Sequence, residues 1–361
     1  MPLSGNKGEW SEIYVFLKLL ADGRLDAADA NLNAIPNVYY PIIKILRLEN
    51  GSNREYRINN NIQVIDGNTS AVLLNISLAT FVQQSQQLFN NLRAAQGSSF
   101  SFPAIETFLN SIDVHSLTAL KTDKADIKVV VHDLNTGLQP KLGFSIKSML
   151  GMNSTLFNAG QTTNFIYEIR GINLTPRQIA TVNSITTTPK IKNRIDSLIN
   201  SGAQFIYKDI FSNNLKLNLQ LIDSDLPEIL AHLVLYKYSL NTSNLQDLLR
   251  ELNTKNPKRF DLSLGHPFYE YKIKNFLTDS ALGMTPATLW TGKYDATGGI
   301  IIVKQNGDLV CYHIYNRNEF QDYLLNNTRL EQASTTRYGF GEVYTENGRF
   351  YMKLNLQVRF T

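Results

Sequence analysis

Residues 124–148 read KADIKVVVHDLNTGLQPKLGFSIKS, and this stretch decides the fold of the chain. The β-branched run at positions 126–131 predicts a strand, and the turn residues Asn-Thr-Gly follow it at 135–137. A second strand is predicted at positions 142–147. Because strands that are joined by such a turn pair with each other, the sequence predicts a β-hairpin here.

The second arm of this hairpin separates apolar from polar side chains. Successive side chains of a strand point to opposite faces, so the apolar residues of LGFSIK face the core while Ser145 and Lys147 share the other face. Asp126 enters the first strand and Lys147 leaves the second, so the hairpin brings an acid and a cation to neighbouring strands. We predict that this polar face is the functional centre of the chain.

Helix and strand patterns flank the hairpin on both sides. An amphipathic helix is predicted at 8–20, with Ser4 or Asn6 as its cap and Gly23 as its end. Further helices are predicted at 78–95, 103–112, 191–200, 226–238, 244–252, 268–277 and 319–327, strands at 38–48, 55–58, 63–66 and 164–169, and tail hairpins around positions 306–307 and 347–348. The turn-rich run at 151–163 predicts a loop.

These elements predict a fold of the α+β or α/β class. A mixed central sheet flanked by helices forms its core, followed by a helical middle segment and a C-terminal region of hairpin, helix and hairpin. The break at Pro257 predicts a boundary between a core region with helical additions at 1–256 and a C-terminal α/β region at 257–361.

The composition excludes several classes of protein. The chain has 361 residues and a net charge of +4, which suits a polyanionic partner but is far from the charge of a histone-like binder. Cys311 is the only cysteine, which excludes disulfide scaffolds and thiolate zinc sites. The sequence shows no signal peptide, membrane span or glycine-rich phosphate loop, so we expect a cytoplasmic protein without a membrane or nucleotide partner.

The polar face of the hairpin suits phosphodiester hydrolysis with Mg²⁺. That reaction needs a metal ion to polarise the phosphate, carboxylates to hold the ion, and a cation to orient the nucleophile. The pattern resembles the PD-(D/E)xK nuclease core, with Ala125-Asp126 for Pro-Asp and Ser145-Ile146-Lys147 for Glu-x-Lys. Ser145 stands where that core has its second carboxylate, and a hydroxyl binds Mg²⁺ more weakly than an anion. Another acid must therefore complete the site.

Three glutamates are candidates for this second metal ligand. On the helix at 8–20, Glu9 falls within the apolar arc and Glu12 lies at its edge, where a carboxylate is costly unless a cation or hydrogen-bond donors meet it. The spacing Gly8-x-x-x-Glu12 resembles the helix glutamate of several nucleases of this superfamily, which favours Glu12. Glu168, the first acid after the hairpin, is the third candidate. Glu9 and Glu12 are also explained as first-turn acids that complement the helix dipole.

Longer runs of the sequence resemble one nuclease family. The stretches NKGEWSEIYVFLKLL, KADIKVVVHDLNTG, LGFSIKSMLG, STLFNAGQTTNFIYEI and ALGMTPATLWTGKYDATGGIIIVKQNGDLVCYHIYNRNEF are similar to the HpaII family of type II restriction endonucleases, as is the tail LNLQVRF. The resemblance implies double-strand cleavage of DNA at CCGG, dependence on Mg²⁺, and a partner methyltransferase that shields host sites. It implies catalytic roles for Asp126, Ser145 and Lys147, and Glu12 is carried over with them.

Reading a CCGG site requires donors for guanine O6 and N7 and acceptors for the cytosine amino group. Arginines and lysines after the predicted strand at 164–169 and beside the tail helix are our candidates, and the region 257–361 becomes a candidate DNA-recognition domain. The candidates are Arg170, Arg177, Lys190, Lys192, Arg194, Arg329 and Arg337. An ordinary solvated cation is the alternative explanation for each of them.

Three further alternatives stay open at the level of sequence. A palindromic target suggests two-fold symmetry and hence a homodimer, although a chain of this size can also act as a monomer. The main alternative function is a sequence-specific DNA-binding protein on a catalytically degraded nuclease fold, because Ser145 replaces a carboxylate. A structural or protein-interaction module would instead show no salt-dependent affinity for DNA.

Overall fold

The computed structural model describes residues 2–118 and 125–361, so Lys124 of the run quoted above lies outside the described residues. The chain divides into a first unit, Met1–Ser154 with Tyr294–Tyr323, and a second unit, Thr155–Lys293 with Leu324–Thr361. Each unit is thus built from two segments, and the segments of the two units alternate along the sequence. The predicted division before Pro257 coincides with none of these boundaries, and the region 257–361 contributes residues to both units.

The described residues form sixteen strands and eleven α-helices. The strands are β1 (Arg24–Ala28), β2 (Ala34–Glu49), β3 (Ser52–Ile58), β4 (Asn61–Asp66), β5 (Val72–Ser77), β6 (Ile127–Val131), β7 (Lys141–Ser148), β8 (Thr155–Phe157), β9 (Asn164–Arg170), β10 (Gln204–Ile210), β11 (Gly299–Val303), β12 (Leu309–Tyr312), β13 (Thr328–Leu330), β14 (Val343–Glu346), β15 (Arg349–Asn355) and β16 (Val358–Phe360). The helices are α1 (Lys7–Asp22), α2 (Leu78–Ala94), α3 (Pro103–Ser111), α4 (Pro176–Asn183), α5 (Lys190–Asn200), α6 (Asn213–Ile222), α7 (Leu226–Leu240), α8 (Leu245–Lys255), α9 (Phe268–Leu282), α10 (Arg317–Asn326) and α11 (Thr335–Tyr338). None of the described helices is long and apolar enough to cross a membrane.

A mixed sheet of nine strands forms the centre of the first unit, in the order β1-β12-β11-β7-β6-β2-β3-β4-β5. Strand β7 lies in the middle of this sheet, antiparallel to β6 on one side and parallel to β11 on the other. The close approach of neighbouring chain segments requires glycine at position 143, because a Cβ there would lie 2.8 Å from the Cβ of Ala125. A central position with a partner on each side fixes the backbone of β7.

Helix α1 is held at both ends and packs on this sheet. It begins with a capping box between Asn6 and Glu9 and ends at Gly23, whose φ of 67° is left-handed. Trp10 and Phe16 of the helix are fully buried and share one hydrophobic core with Phe144 of β7. The core-facing side of β7 and the helix therefore position each other.

The second unit contains two smaller sheets. One has four strands in the order β10-β9-β15-β14, and the other has three in the order β13-β16-β8. Along β9 the side chains alternate, so Phe165, Tyr167 and Ile169 face the interior, where the Tyr167 hydroxyl donates to the carbonyl oxygen of Ala231 in α7 at 2.6 Å. Glu168 and Arg170 lie on the opposite face of the sheet.

Most of the predicted elements are confirmed. The hairpin forms as β6 and β7, the capped amino-terminal helix as α1, and the tail hairpins as β11–β12 and β14–β15. The middle segment is helical, with α4 to α9 interrupted by β10. A mixed central sheet flanked by helices is therefore the fold of the first unit.

Other parts of the prediction were wrong or incomplete. The run at 151–163 is not only a loop, because Thr155–Phe157 forms β8 and pairs with β16 near the carboxyl end. Strands β1, β5 and β10 and helices α4 and α6 were not predicted. Strand β8 is short and pairs with residues that are distant in sequence, so no local pattern marks it.

Candidate functional site

Asp126 stands where β6 begins and points its carboxylate at β7. Its backbone N–H donates to the carbonyl oxygen of Phe144 at 2.9 Å, which continues the ladder of the hairpin. The backbone N–H of Ile146 donates to Asp126 Oδ2 at 2.6 Å, and the Ser145 hydroxyl donates to the same oxygen at 3.1 Å. Two neutral donors therefore fix the carboxylate, and both approach one oxygen.

Lys147 joins this group through the same hydroxyl. Its Nζ donates to Ser145 Oγ at 3.0 Å, so Ser145 accepts from the ammonium and donates to Asp126. Ser145 is buried, whereas Asp126 and Lys147 are partly exposed. The structure brings together Asp126, Ser145 and Lys147 on one face of the hairpin, in the order that the alternation of side chains predicts.

Neither charge of this group is neutralised within the part of the chain that the structure describes. Asp126 forms no ion pair with a described lysine, arginine or histidine, and Lys147 forms none with a described acid. A lysine ammonium has three donors, of which one is used here. The group therefore offers a partly exposed carboxylate and a partly exposed cation to a ligand.

Among the described residues, Asp126 lines a cleft of about 630 Å³, whereas Ser145 and Lys147 do not line it. Two of its arginines are engaged in internal pairs: Arg47 donates to Glu49 at 2.7 Å, and Arg54 donates to Asp66 at 2.9 Å. Lys141 of β7 also lines this cleft and is exposed. The arginines of the cleft wall are thus paired with neighbouring acids. The carboxylate of Asp126 is not paired with a described cation and can bind a ligand.

The carboxylate of Glu9 has a local role that the sequence argument overlooked. Glu9 Oε2 accepts from the backbone N–H of Asn6 at 2.8 Å, while Asn6 Oδ1 accepts from the N–H groups of Gly8 and Glu9. This reciprocal capping box explains an acid in the first turn without a metal. Its signature, Asn6 followed three residues later by a glutamate, is visible in the sequence.

Glu12 lies on α1 at the level where the helix meets β7. Its neighbour Ser11 donates to Lys7 and hydrogen-bonds the hydroxyl of Ser148 at 2.8 Å, and Ser148 directly follows Lys147. Glu12 itself is half-buried. The helix therefore meets β7 at Ser148, whose side chain points to the face of the strand opposite to that of Lys147.

The donor set suits a weakly held Mg²⁺ rather than a closed metal cage. Within residues 2–118 and 125–361, no three histidine, cysteine, aspartate or glutamate side chains gather in a group that could hold a metal. Mg²⁺ is commonly bound by one or two carboxylates together with substrate phosphates and several waters. Asp126, with a carboxylate that no described cation neutralises, fits that mode of binding.

Glu168 belongs to the second unit, and its carboxylate is engaged there. Arg170 Nη2 donates to Glu168 Oε2 at 2.7 Å, and Arg349 Nη1 lies 3.6 Å from Glu168 Oε1. The hydrogen bond from Arg170 lowers the pKa of Glu168 below its ordinary value. This carboxylate is neutralised by arginines, unlike that of Asp126.

The predicted DNA-binding cations all lie in the second unit, in different settings. Arg177 and Arg337 are exposed, and neither forms an ion pair with a described acid. Arg329 is bound to Glu331 at 2.9 Å. Two lysines are engaged as well, because Lys190 donates to the hydroxyl of Thr335 at 2.7 Å and Lys192 pairs with Asp196.

Arg194 needs a correction to its predicted role. Only 4% of the residue is exposed, and its guanidinium donates to the carbonyl oxygens of Ile185 at 3.2 Å, Gly341 at 2.6 Å and Asn183. A buried guanidinium that serves three backbone acceptors cannot reach a base edge. Arg194 therefore anchors α5, and its burial was not visible from the sequence.

The sequence reasoning also missed cations on the four-stranded sheet. Arg349, at the start of β15, is 60% exposed at its side chain, and Lys353 lies on the same strand. Their signal was the alternation of RFYMKLN after the turn at 347–348. That alternation assigns a shared face only once the pairing of β15 with β9 is known.

Comparison with known proteins gives one consistent result. Residues 6–360 match the family model described as HpaII restriction endonuclease. The chain is 42% identical over 358 residues to the type II restriction enzyme HpaII of Haemophilus parainfluenzae, an alignment that covers 99% of this chain and 98% of that protein. No solved structure matches the chain.

Proposed function

This chain belongs to the HpaII family of restriction endonucleases and is a type II site-specific deoxyribonuclease, and we propose that it cuts both strands of DNA at CCGG with Mg²⁺ as its cofactor. The observation that carries the proposed site is the group formed by Asp126, Ser145 and Lys147 on the polar face of β6 and β7. We assign this pair of central strands to the PD-(D/E)xK type of nuclease core.

In the proposed mechanism, Asp126 would hold the metal ion, with Glu12 as the candidate for a second carboxylate and Glu9 as the weaker alternative because its carboxylate serves the helix cap. When bound, the ion polarises the scissile phosphate and favours deprotonation of the attacking water. Asp126 is pre-oriented for this task by the Ile146 N–H and the Ser145 hydroxyl. Little reorganisation is then needed when DNA arrives.

Lys147 orients the attacking water and a phosphate oxygen. Its ammonium is tethered to Ser145 at 3.0 Å and keeps further donors for those oxygens. Charge that develops on the phosphate is stabilised by a fixed cation more strongly than by mobile solvent. Ser145 holds Lys147 and Asp126 at a set separation, a task that a neutral hydroxyl performs without adding negative charge to the site.

The second unit supplies the candidates for reading the DNA sequence. Arg177 and Arg337 are exposed and free of ion pairs with described acids, which suits contact with phosphates or base edges. A palindromic target is read most simply by two copies related by a two-fold axis, so we propose a homodimer on DNA. We place the enzyme in the cytoplasm, where its DNA lies and where the single buried thiol of Cys311 stays reduced.

The decisive experiment is a digest of fully sequenced plasmid DNA by the purified protein with Mg²⁺, followed by sequencing of the fragment ends. We expect discrete fragments whose ends lie within CCGG. Fragments that end elsewhere would retain the nuclease and reject the target. Intact DNA, beside an active control enzyme, would reject cleavage; if the protein still bound DNA in Ca²⁺, the alternative of a degraded nuclease fold would take its place.

A further inference from the structure

We infer that Arg170 and Arg349 read two guanines of the target from the open face of the four-stranded sheet, with Glu168 as the residue that positions both guanidinium groups. The inference rests on the proposed function, since it identifies how that enzyme recognises G·C pairs. It adds Arg349 to the recognition residues and gives Glu168 a role other than metal binding.

The pairing of β9 with β15 places the three side chains together. Glu168 lies opposite Tyr351, and Ile169 lies opposite Phe350, so the antiparallel register continues with Arg170 opposite Arg349. Directly opposite residues of an antiparallel pair have Cβ atoms about 4.5–5.5 Å apart. Two like charges at that separation destabilise a sheet unless an acid lies between them.

Glu168 is that acid, and it is buried beneath the two arginines. Its side chain is 8% exposed, while those of Arg170 and Arg349 are 56% and 60% exposed. One carboxylate oxygen accepts from Arg170, and the other faces Arg349. The carboxylate therefore holds Arg170 through a hydrogen bond and attracts Arg349 through a looser ion pair at 3.6 Å, while more than half of each arginine side chain is exposed to solvent.

This arrangement matches the chemistry of guanine in the major groove. Guanine presents O6 and N7 there as two adjacent acceptors, and an arginine binds both with two parallel N–H groups. The major groove admits a two-stranded β-ribbon, and β14–β15, the hairpin at the edge of this four-stranded sheet, has an exposed tip at positions 345–349 that suits such an entry. Two adjacent arginines on this ribbon and its neighbour suit the two adjacent guanines of CCGG.

The surroundings of the trio also fit a nucleic acid. Lys353 lies four residues after Arg349 on the same face of β15, with its Nζ 5.0 Å from the ring centre of Phe211 and 5.2 Å from that of Tyr344. Glu346 lies opposite Arg349 on β14, yet the two form no ion pair among the described residues. The face thus combines fixed cations with aromatic rings, which suits a polyanion that carries flat bases.

The test is a double-mutant cycle between each arginine and the N7 atom of each guanine. Once the cut site is known, duplexes are made with 7-deazaguanine at one guanine at a time, and binding is measured in Ca²⁺, which permits binding without cleavage. The variants are Arg170→Ala, Arg349→Ala, Arg349→Lys and Glu168→Gln. Arg250→Ala serves as the control, since Arg250 is an exposed arginine of the second unit on α8.

For the wild type and Arg250→Ala, we expect loss of N7 to weaken binding by about 5-fold or more, the range of a good bidentate contact. In Arg349→Ala, 7-deazaguanine at one particular guanine should no longer weaken binding. In Arg170→Ala, the same should hold at a different guanine. Arg349→Lys keeps the positive charge but loses the planar pair of N–H donors. The overall affinity should therefore fall little, while the loss of affinity caused by 7-deazaguanine becomes smaller. Glu168→Gln should reduce both penalties together, a result that a merely structural role in the sheet would not give.

The outcomes separate this inference from the function on which it rests. If wild-type protein neither binds nor cuts any duplex, the proposed function fails. If it cuts DNA, and every variant keeps the full 7-deazaguanine penalty at every guanine, the enzyme stands and the inference is overturned. A cut site without guanine overturns it as well.

Discussion

The hairpin β6–β7 and the strand pair β9–β15 use the same ingredients in opposite ways. Each places a carboxylate and a cation on neighbouring antiparallel strands. At the first, Asp126 accepts only from a hydroxyl and a backbone N–H, and Lys147 is held at a distance through Ser145. At the second, Glu168 is neutralised directly by Arg170 of its own strand and by Arg349 of β15.

The difference shows what a carboxylate is available for. An anion that is fixed by neutral donors keeps its full charge for a divalent ion, whereas an anion in an ion pair has already satisfied its charge. The intervening residue decides the outcome: a serine separates acid and lysine in the first unit, and nothing separates acid and arginine in the second. Four experiments test this difference between the two carboxylates and their surroundings.

The largest effect is expected for Asp126→Asn. The amide keeps the shape and an oxygen for Ile146, but it lacks the charge that would hold Mg²⁺, so cleavage should fall by about 10³-fold or more. Binding to the cut site in the absence of metal should persist. Asp22→Asn, at the exposed end of α1, is the matched control and should cut at the wild-type rate. Equal rates for both variants would remove Asp126 from the site.

Lys147→Ala should reduce cleavage by about 10²–10³-fold, because a fixed cation beside the phosphate is lost. The side chain is partly exposed and makes one hydrogen bond, so thermal unfolding should change little. Lys147→Arg separates charge from shape and should retain part of the activity. A Lys147→Ala enzyme that cuts at the normal rate would show that the ammonium of Lys147 takes no part in cleavage.

As the pH falls, the first unit should lose stability before the carboxylate of Glu168 is protonated. His313 is 2% exposed and packs against Phe144, and burial lowers its pKa to about 4. Its folded pKa lies below the unfolded value of about 6.5, so the stability that it contributes is complete above about pH 6.5 and is lost as the pH falls towards 4. The loss should reach about 2 kcal/mol by pH 5.

The variant His313→Asn isolates this contribution. Asparagine retains an acceptor for the backbone N–H of Tyr315 but does not titrate, so its unfolding free energy should vary less between pH 7 and 5. Denaturant melts at both pH values measure the change. Parallel pH dependence in wild type and variant would show that His313 is protonated without cost.

The smallest effect is expected for divalent-ion binding by Glu168→Gln. Because the arginines already neutralise Glu168, the affinity for Mg²⁺ or Ca²⁺ measured by calorimetry should stay within about 2-fold of the wild type. Asp126→Asn measured in parallel should lose most of it. The reverse pattern, with the ion lost in Glu168→Gln and kept in Asp126→Asn, would exchange the roles of the two carboxylates.

The sequence was sufficient for the hairpin because its signals are local. The β-branched run, the turn and the alternation of LGFSIK together determine which face carries Ser145 and Lys147, and the structure agrees. The start of α1 was also determined locally, because Asn6 was one of the two predicted caps and the structure shows its capping box with Glu9. The sequence argument favoured Glu12 and placed Glu9 next as the second metal ligand, and that assignment stays a prediction.

The proposed recognition site was harder to predict as a group, because its residues come together only through long-range pairing. Arg170 and Arg349 are far apart in the sequence and meet only through the register of β9 with β15. Arg194 looked like a surface cation because nothing nearby reveals the carbonyl oxygens that surround it, one of which belongs to Gly341. Charge patterns alone do not distinguish a cation that faces solvent from one that supports a turn.

The position of β11 beside β7 has a consequence for synthesis on the ribosome. Residues 299–303, which pair with β7 on one side, are translated only after the whole stretch 155–293 has emerged. Until then β7 lacks one of its two neighbours in the nascent polypeptide. The central sheet of the first unit is therefore completed only after one segment of the second unit has been synthesised, and the other segment, 324–361, follows later.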